Sequence, residues 1–191
     1  MVVVQPRLNP DDLERMLDTG EIDPEACLEL VDGEIVWLTT PKGTDHARIV
    51  MLIGRAVWPF IDAIGAWLFS ESVGYLVGPG NMNLRIPDMS ILTKERFAIF
   101  SEGRAWAIGA PDLAVEVLSP EQHGEPYARQ KVPEYLGSGA KVVWLVNPED
   151  RTVRVYEAGR ADFTIYSGDA EITLDQIAPG FGAPISSFFP S

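Results

Sequence analysis

Leu113-Ala-Val-Glu116-Val-Leu118 is apolar at every position but one. Six such residues, rich in β-branched side chains, form the pattern of a strand buried on both faces, as in the centre of an α/β sheet. A carboxylate in the middle of it would cost several kcal/mol if left ionised and unpaired. Glu116 therefore needs a cation. The same problem arises at Asp88, where Arg85-Ile-Pro-Asp88 leads into the apolar run Met89-Ser-Ile-Leu92. Two acids at the ends of two buried strands point to one shared metal ion. Oxygen ligands favour Mg²⁺, with Mn²⁺ as its substitute, and neither Cys27 nor His46 and His123 offers zinc-like spacing.

Downstream of this strand, residues 125–136 carry a helical pattern. Lys141-Val-Val-Trp-Leu-Val-Asn147 then reads as a second buried strand, and 152–157 and 162–166 as edge strands. Upstream, residues 67–72, 74–77 and 89–92 are short strand-like runs bounded by Gly, Pro or Asn. From Thr44, apolar residues recur at steps of three and four through Ile64, predicting a long helix with a kink expected at Pro59. Leu28 to Leu38 has two alternating arms around Asp32-Gly33, a hairpin signal. Asn9-Pro10-Asp11-Asp12 is a helix start, and Gly20 its end. The expected architecture is α/β: a mixed central sheet flanked by helices, preceded by an N-terminal helix and hairpin.

At 191 residues without repeat, low-complexity tract or linker, residues 1–191 read as one domain. No run reaches the length needed to span a bilayer and no signal peptide is recognised, so the expected location is cytoplasmic. The lone Cys27 reads as a buried thiol. The net charge, 15 − 28 = −13, repels phosphate backbones at long range and excludes a tight nonspecific DNA binder, though a bound cation can reverse the field locally.

Arg85-Ile-Pro-Asp88, Ala110-Pro-Asp-Leu-Ala-Val-Glu-Val-Leu-Ser-Pro120, Lys131 with Tyr135, and Gly139 with Val143-Trp-Leu-Val-Asn-Pro148 resemble the Uma-type family of restriction endonucleases, within the PD-(D/E)XK nuclease superfamily. Glu29-Leu-Val-Asp-Gly-Glu34, Pro41, His46, Pro179-Gly-Phe181 and Phe188-Phe189 extend the resemblance over nearly the whole chain. It implies a restriction-endonuclease-like core, Mg²⁺-dependent hydrolysis of phosphodiester bonds in nucleic acid, with DNA as the expected substrate, and a homodimer. The surplus aromatics Trp58, Trp67 and Trp106 point the same way on assembly.

The superfamily places a lysine two residues after the strand acid, where this chain has Leu118. The resemblance implies that Lys131, on the following helix, takes over that role, with Lys141 as competitor. In this reading Asp88, Glu116 and the Val117 carbonyl hold the metal, and Lys131 stabilises developing charge. Asp112, about 13 Å from Glu116 along a strand, is assigned to capping backbone amides instead. Glu34 and His46 are supporting candidates, as a further acid and a phosphate-positioning group. Arg85 and Arg129, with Lys94, Arg96 and Arg104 behind them, are the candidate phosphate contacts. Two alternatives stay open: a catalytically silent nuclease-like binding module, and a metal-dependent hydrolase of small phosphorylated substrates.

Overall fold

The computed structural model describes residues 7–38, 43–71, 73–100, 106–118 and 124–190. Pro41, Arg104, Ser119, Pro120 and His123 lie outside them. Helix α1 (Pro10–Asp18) begins where the sequence places it: Asn9 accepts from the Asp12 amide while the Asp12 carboxylate accepts from the Asn9 amide, satisfying two donors at once. Strands β1 (Leu28–Val31) and β2 (Glu34–Trp37) form the hairpin. Asp32 and Gly33 both take positive φ, as a type I′ turn demands. A Cβ on Gly33 would lie 2.5 Å from the Arg7 side chain, so the turn also needs glycine for space.

Helix α2 (Thr44–Ala63) runs through Pro59 and buries Ile49, Ile53, Val57 and Ile61. It is followed by β3 (Trp67–Ser70), β4 (Tyr75–Val77), β5 (Asn83–Arg85), β6 (Met89–Leu92), β7 (Ala107–Ile108) and β8 (Leu113–Val117). Helix α3 (Gly124–Gly137) then crosses to β9 (Val142–Asn147), and β10 (Thr152–Glu157), β11 (Phe163–Ser167), β12 (Glu171–Thr173) and β13 (Gly182–Pro184) complete the chain's strands. Pro133 does not break α3; it lies on the exposed side.

The strands form a six-stranded sheet, β11-β10-β9-β8-β6-β3, a five-stranded sheet, β2-β1-β5-β4-β7, and the pair β12-β13. In the larger sheet β8 and β9 are parallel, as the α3 crossover requires, and the other pairs antiparallel. The two faces of β8 divide the core. Leu113, Val115 and Val117 pack with α2, Trp144 and the C-terminal Phe181 and Phe188. Ala114 and Leu118 pack with Ala128, Val132 and Tyr135 of α3. Strand alternation thus turns Glu116 toward α3. Cys27 is exposed just before β1, correcting the expectation of a buried thiol; its carbonyl, accepting from the Leu38 amide, is what ties it to the hairpin.

Candidate metal and catalytic site

Strand register brings three acids into one row. Met89 pairs with Val115 across β6 and β8, so one step further Asp88 stands opposite Glu116. Ser70 pairs with Met89 across β3 and β6, so the same step sets Glu71 opposite Asp88, and the Glu71 amide donates to the Asp88 carbonyl at 3.3 Å. Directly opposed side chains have Cβ atoms about 4.5–5.5 Å apart, and like charges there repel. Glu71 holds φ at +39°, a costly conformation for a residue with a Cβ, of the kind that gathers at functional sites.

On one flank of the row stands α3. Lys131, buried, donates to both Glu116 oxygens at 3.1 and 3.0 Å and lies 2.9 Å from Glu29 Oε1. The Tyr135 hydroxyl, one helical turn on, donates to Glu116 Oε1 at 2.8 Å. Glu29 Oε2 in turn accepts from Arg85 at 3.0 Å, and Arg85 grips Glu134 through Nε and Nη2 at 2.7 and 2.9 Å. Burial pushes the Glu116 carboxyl up to about 7; the Lys131 ammonium opposes this, and the Asp88 and Glu29 charges add to it. Burial, then the charges of Glu116 and Glu29, raise the Tyr135 hydroxyl well above its ordinary value, so it stays a donor.

On the other flank stands α2. His46 Nε2 lies 3.1 Å from Asp88 Oδ2, and Nδ1 lies 3.8 Å from Glu71 Oε1. Both nitrogens are buried, yet neither makes a well-aligned hydrogen bond to a described residue. One ligand atom each from His46, Glu71 and Asp88 falls within 4.8 Å of the others, which fits a metal ion. Among the described residues, Glu29, Glu116 and Glu134 share two cations, Arg85 and Lys131. An imidazole in the set suits Mn²⁺ and later transition metals better than Mg²⁺.

The structure brings Asp88, Glu116, Lys131 and His46 together. Val117 meets Asp88 through its amide, which donates at 2.6 Å. Asp112 caps backbone as expected, accepting from the Thr93 amide and hydroxyl at 2.7 and 2.9 Å, and it also takes Lys141 at 2.9 Å. Lys141 is thereby paired away from Glu116. Glu34 is exposed in the hairpin opposite Val31; the hairpin acid at the cluster is Glu29. Arg85 is fully buried between Glu29 and Glu134, which removes it from the phosphate contacts, and Arg96 donates to the Ala110 and Ser138 carbonyls. Arg129 and Lys94 are exposed. Of the surplus tryptophans, Trp67 packs edge-on against Phe97 and Trp106 joins the hairpin's apolar cluster, leaving Trp58 half exposed.

Glu29 carries the signal that found Glu116, an acid between apolar neighbours, Leu28 and Leu30. Glu71, at the end of β3, carries none.

A protein from Anabaena variabilis, solved as "a putative nuclease belonging to DUF820", is similar in structure, with a TM-score of 0.74 and 24% identity over 95% of this chain and 97% of that one. No match is found among curated proteins. Among the described residues no helix is long and apolar enough to cross a membrane. The pattern of a nuclease family, Uma2, described as "Putative restriction endonuclease", matches residues 10–186, and the chain, with its restriction-endonuclease-like fold, belongs to that family.

Proposed function

We propose that the chain, acting as a single domain, is a metal-dependent nuclease that hydrolyses phosphodiester bonds of DNA, with the cation on His46, Glu71 and Asp88. The observation that carries this reading is the row of three acids beside a histidine whose buried nitrogens lack aligned partners. A divalent ion there would supply Lewis acidity toward the phosphate. The chain's own residues do the rest. Glu116, with its carboxyl near 7, is matched to taking a proton from an attacking water at neutral pH. Lys131 holds Glu116 in place and offers an ammonium to charge developing on the phosphate. The proposal includes a homodimer, which a monomeric mass in sedimentation would contradict.

Calorimetry with Mn²⁺, alongside a cutting assay, tests the assignment. Asp88→Asn is expected to lose both metal binding and cutting, His46→Gln to weaken metal binding, and Glu116→Gln to keep metal binding while losing cutting. Loss of Mn²⁺ binding in Glu116→Gln would instead place the ion between Asp88 and Glu116. The charge of −13, with Arg85, Lys131 and Lys141 all engaged within the protein, favours a second reading, a nuclease-like module that binds without cutting. Wild-type protein that cuts neither single- nor double-stranded polynucleotides with Mg²⁺ or Mn²⁺ would support it.

A further inference from the structure

Helix α2 has a second stripe that its core face does not use. Ala47, Met51, Arg55 and Trp58 follow one another at steps of four, four and three, and with Leu68 and Met89 they line an open, mostly apolar groove of about 600 Å³ between the helix and β3 and β6. Met51 is 67% exposed and Trp58 51%. Three of its lining residues are chain neighbours of the candidate ligands: Ala47 follows His46, Ser70 precedes Glu71, and Met89 follows Asp88.

We propose that this groove binds an unpaired nucleobase of a single-stranded polynucleotide, stacked on Trp58 with Arg55 at the adjoining phosphate or ring face. The inference rests on the nuclease reading of the same site. Its chemistry follows from the groove's lining, apolar but for Arg55 and Ser70. A net charge of −13 gives no general attraction for a phosphate backbone, and Arg85, Lys131, Lys141 and Arg96 are engaged by carboxylates or carbonyls of the protein itself. The base, which carries no charge, offers an attraction that the net charge does not oppose. Bases stack on aromatic rings irrespective of sequence, and a guanidinium adds to this. Arg55, on the same stripe as Trp58, is exposed and makes no ion pair with a described residue. A volume of this size is that of a small-molecule pocket.

Gly54 forms the groove floor and supplies a second handle. A Cβ there would meet only Leu68 Cδ2 at 3.7 Å and Met89 Sδ at 3.9 Å, so a larger side chain grows into the groove and leaves the backbone undisturbed.

The test compares binding of a fluorescein-labelled oligo(dT) 12-mer with an abasic strand of the same length, by anisotropy, in Ca²⁺ and in EDTA. Wild type is expected to prefer the strand with bases by about 5- to 150-fold, the range that one stacked base contributes. Trp58→Ala and Gly54→Leu should each erase that preference, and hybridising the oligonucleotide to oligo(dA) should weaken binding as the bases become paired. Equal affinity for the two strands, no binding of either, or a preference that survives both substitutions overturns the proposal. Oligomer dissociation in either variant with base preference intact overturns it too, and assigns the groove to a second copy of the chain. The cutting assay keeps the two readings apart: base-independent binding by a protein that cuts leaves the nuclease reading standing, whereas base-dependent binding by a protein that never cuts supports the groove and removes the nuclease.

Discussion

Asp88 stands between two flanks built on opposite plans. Toward α3, Glu116 is saturated, with Lys131 on both oxygens, Tyr135 on one, and Glu29, Arg85 and Glu134 continuing the chain of charges behind them. Toward α2, His46 is buried between two carboxylates without an aligned hydrogen bond, and Glu71 holds an unfavourable backbone angle. One flank spends its interactions on itself and is rigid before any ligand arrives. The other gathers an imidazole and two carboxylates within 4.8 Å of one another. The contrast teaches that buried charge can be arranged in two ways within one sheet, as a network of paired side chains around Glu116 and as a compact group of candidate ligands around His46.

The contrast breaks most visibly at Arg85. Replacing it with Leu leaves Glu29 and Glu134 without their shared cation and is expected to cost about 3–5 kcal/mol, the usual penalty for orphaning buried charge. His46→Gln, on the open flank, should change metal-free stability by less than about 1 kcal/mol. Urea unfolding of both variants decides it; equal losses would mean that the flanks do not differ.

Next in size is Lys131→Ala. It is expected to slow cutting by about 10² to 10³ while leaving Mn²⁺ affinity in place, because an ammonium that stabilises developing charge is not a metal ligand. Lys141→Ala, whose partner is Asp112, should cut nearly as fast as wild type. Rates for the pair measured side by side would expose a misassignment if Lys141 proved the more costly loss.

The saturated flank also has a pH signature. With its carboxyl at about 7 in the folded protein against an ordinary 4.5, Glu116 keeps its proton on folding where the unfolded chain has lost it. Its contribution to stability is present below pH 4.5 and is lost as pH rises through about 7. Metal-free wild type should therefore lose stability relative to Glu116→Gln over that interval. Denaturation curves of the two proteins that stay parallel from pH 4.5 to 7 would contradict it.

The smallest effect belongs to the groove beyond the open flank. Gly54→Ala adds a methyl at ordinary contact distance in a helix interior and should stabilise by about 0.5–1 kcal/mol. A loss of stability would mean that the floor is tighter than its distances indicate.

Much of this was legible beforehand because burial leaves a local trace. The hairpin turn, the cap at Asn9, the four-residue steps of α2 and the apolar run of β8 each satisfy a rule within a dozen residues, and each element lies where the pattern puts it. Glu116 showed itself as an acid in an apolar run. Glu29 shows the same sign but reads as the solvent side of a half-exposed hairpin; only the pairing of β1 with β5 and the presence of Arg85 and Lys131 across 56 and 102 residues of sequence bury it, which is why the sequence points to Glu34 instead. Arg85 looked like a surface cation for the same reason: its partners Glu29 and Glu134 come from elsewhere in the chain. The row Glu71-Asp88-Glu116 depends on two strand registers, which a single chain read in order does not display.

The C-terminal segment that packs on α2 carries a consequence for how the molecule is made. Phe181 and Phe188 close the same apolar cluster as Ile49, Ile53 and Val57, so a nascent chain that has finished α2 must wait for some 120 further residues before that helix is fully covered. At about 5–20 residues per second this is an interval of roughly 6–25 s during which part of the helix's apolar face waits for its last cover, a window in which a chaperone that recognises apolar helical faces would find its substrate.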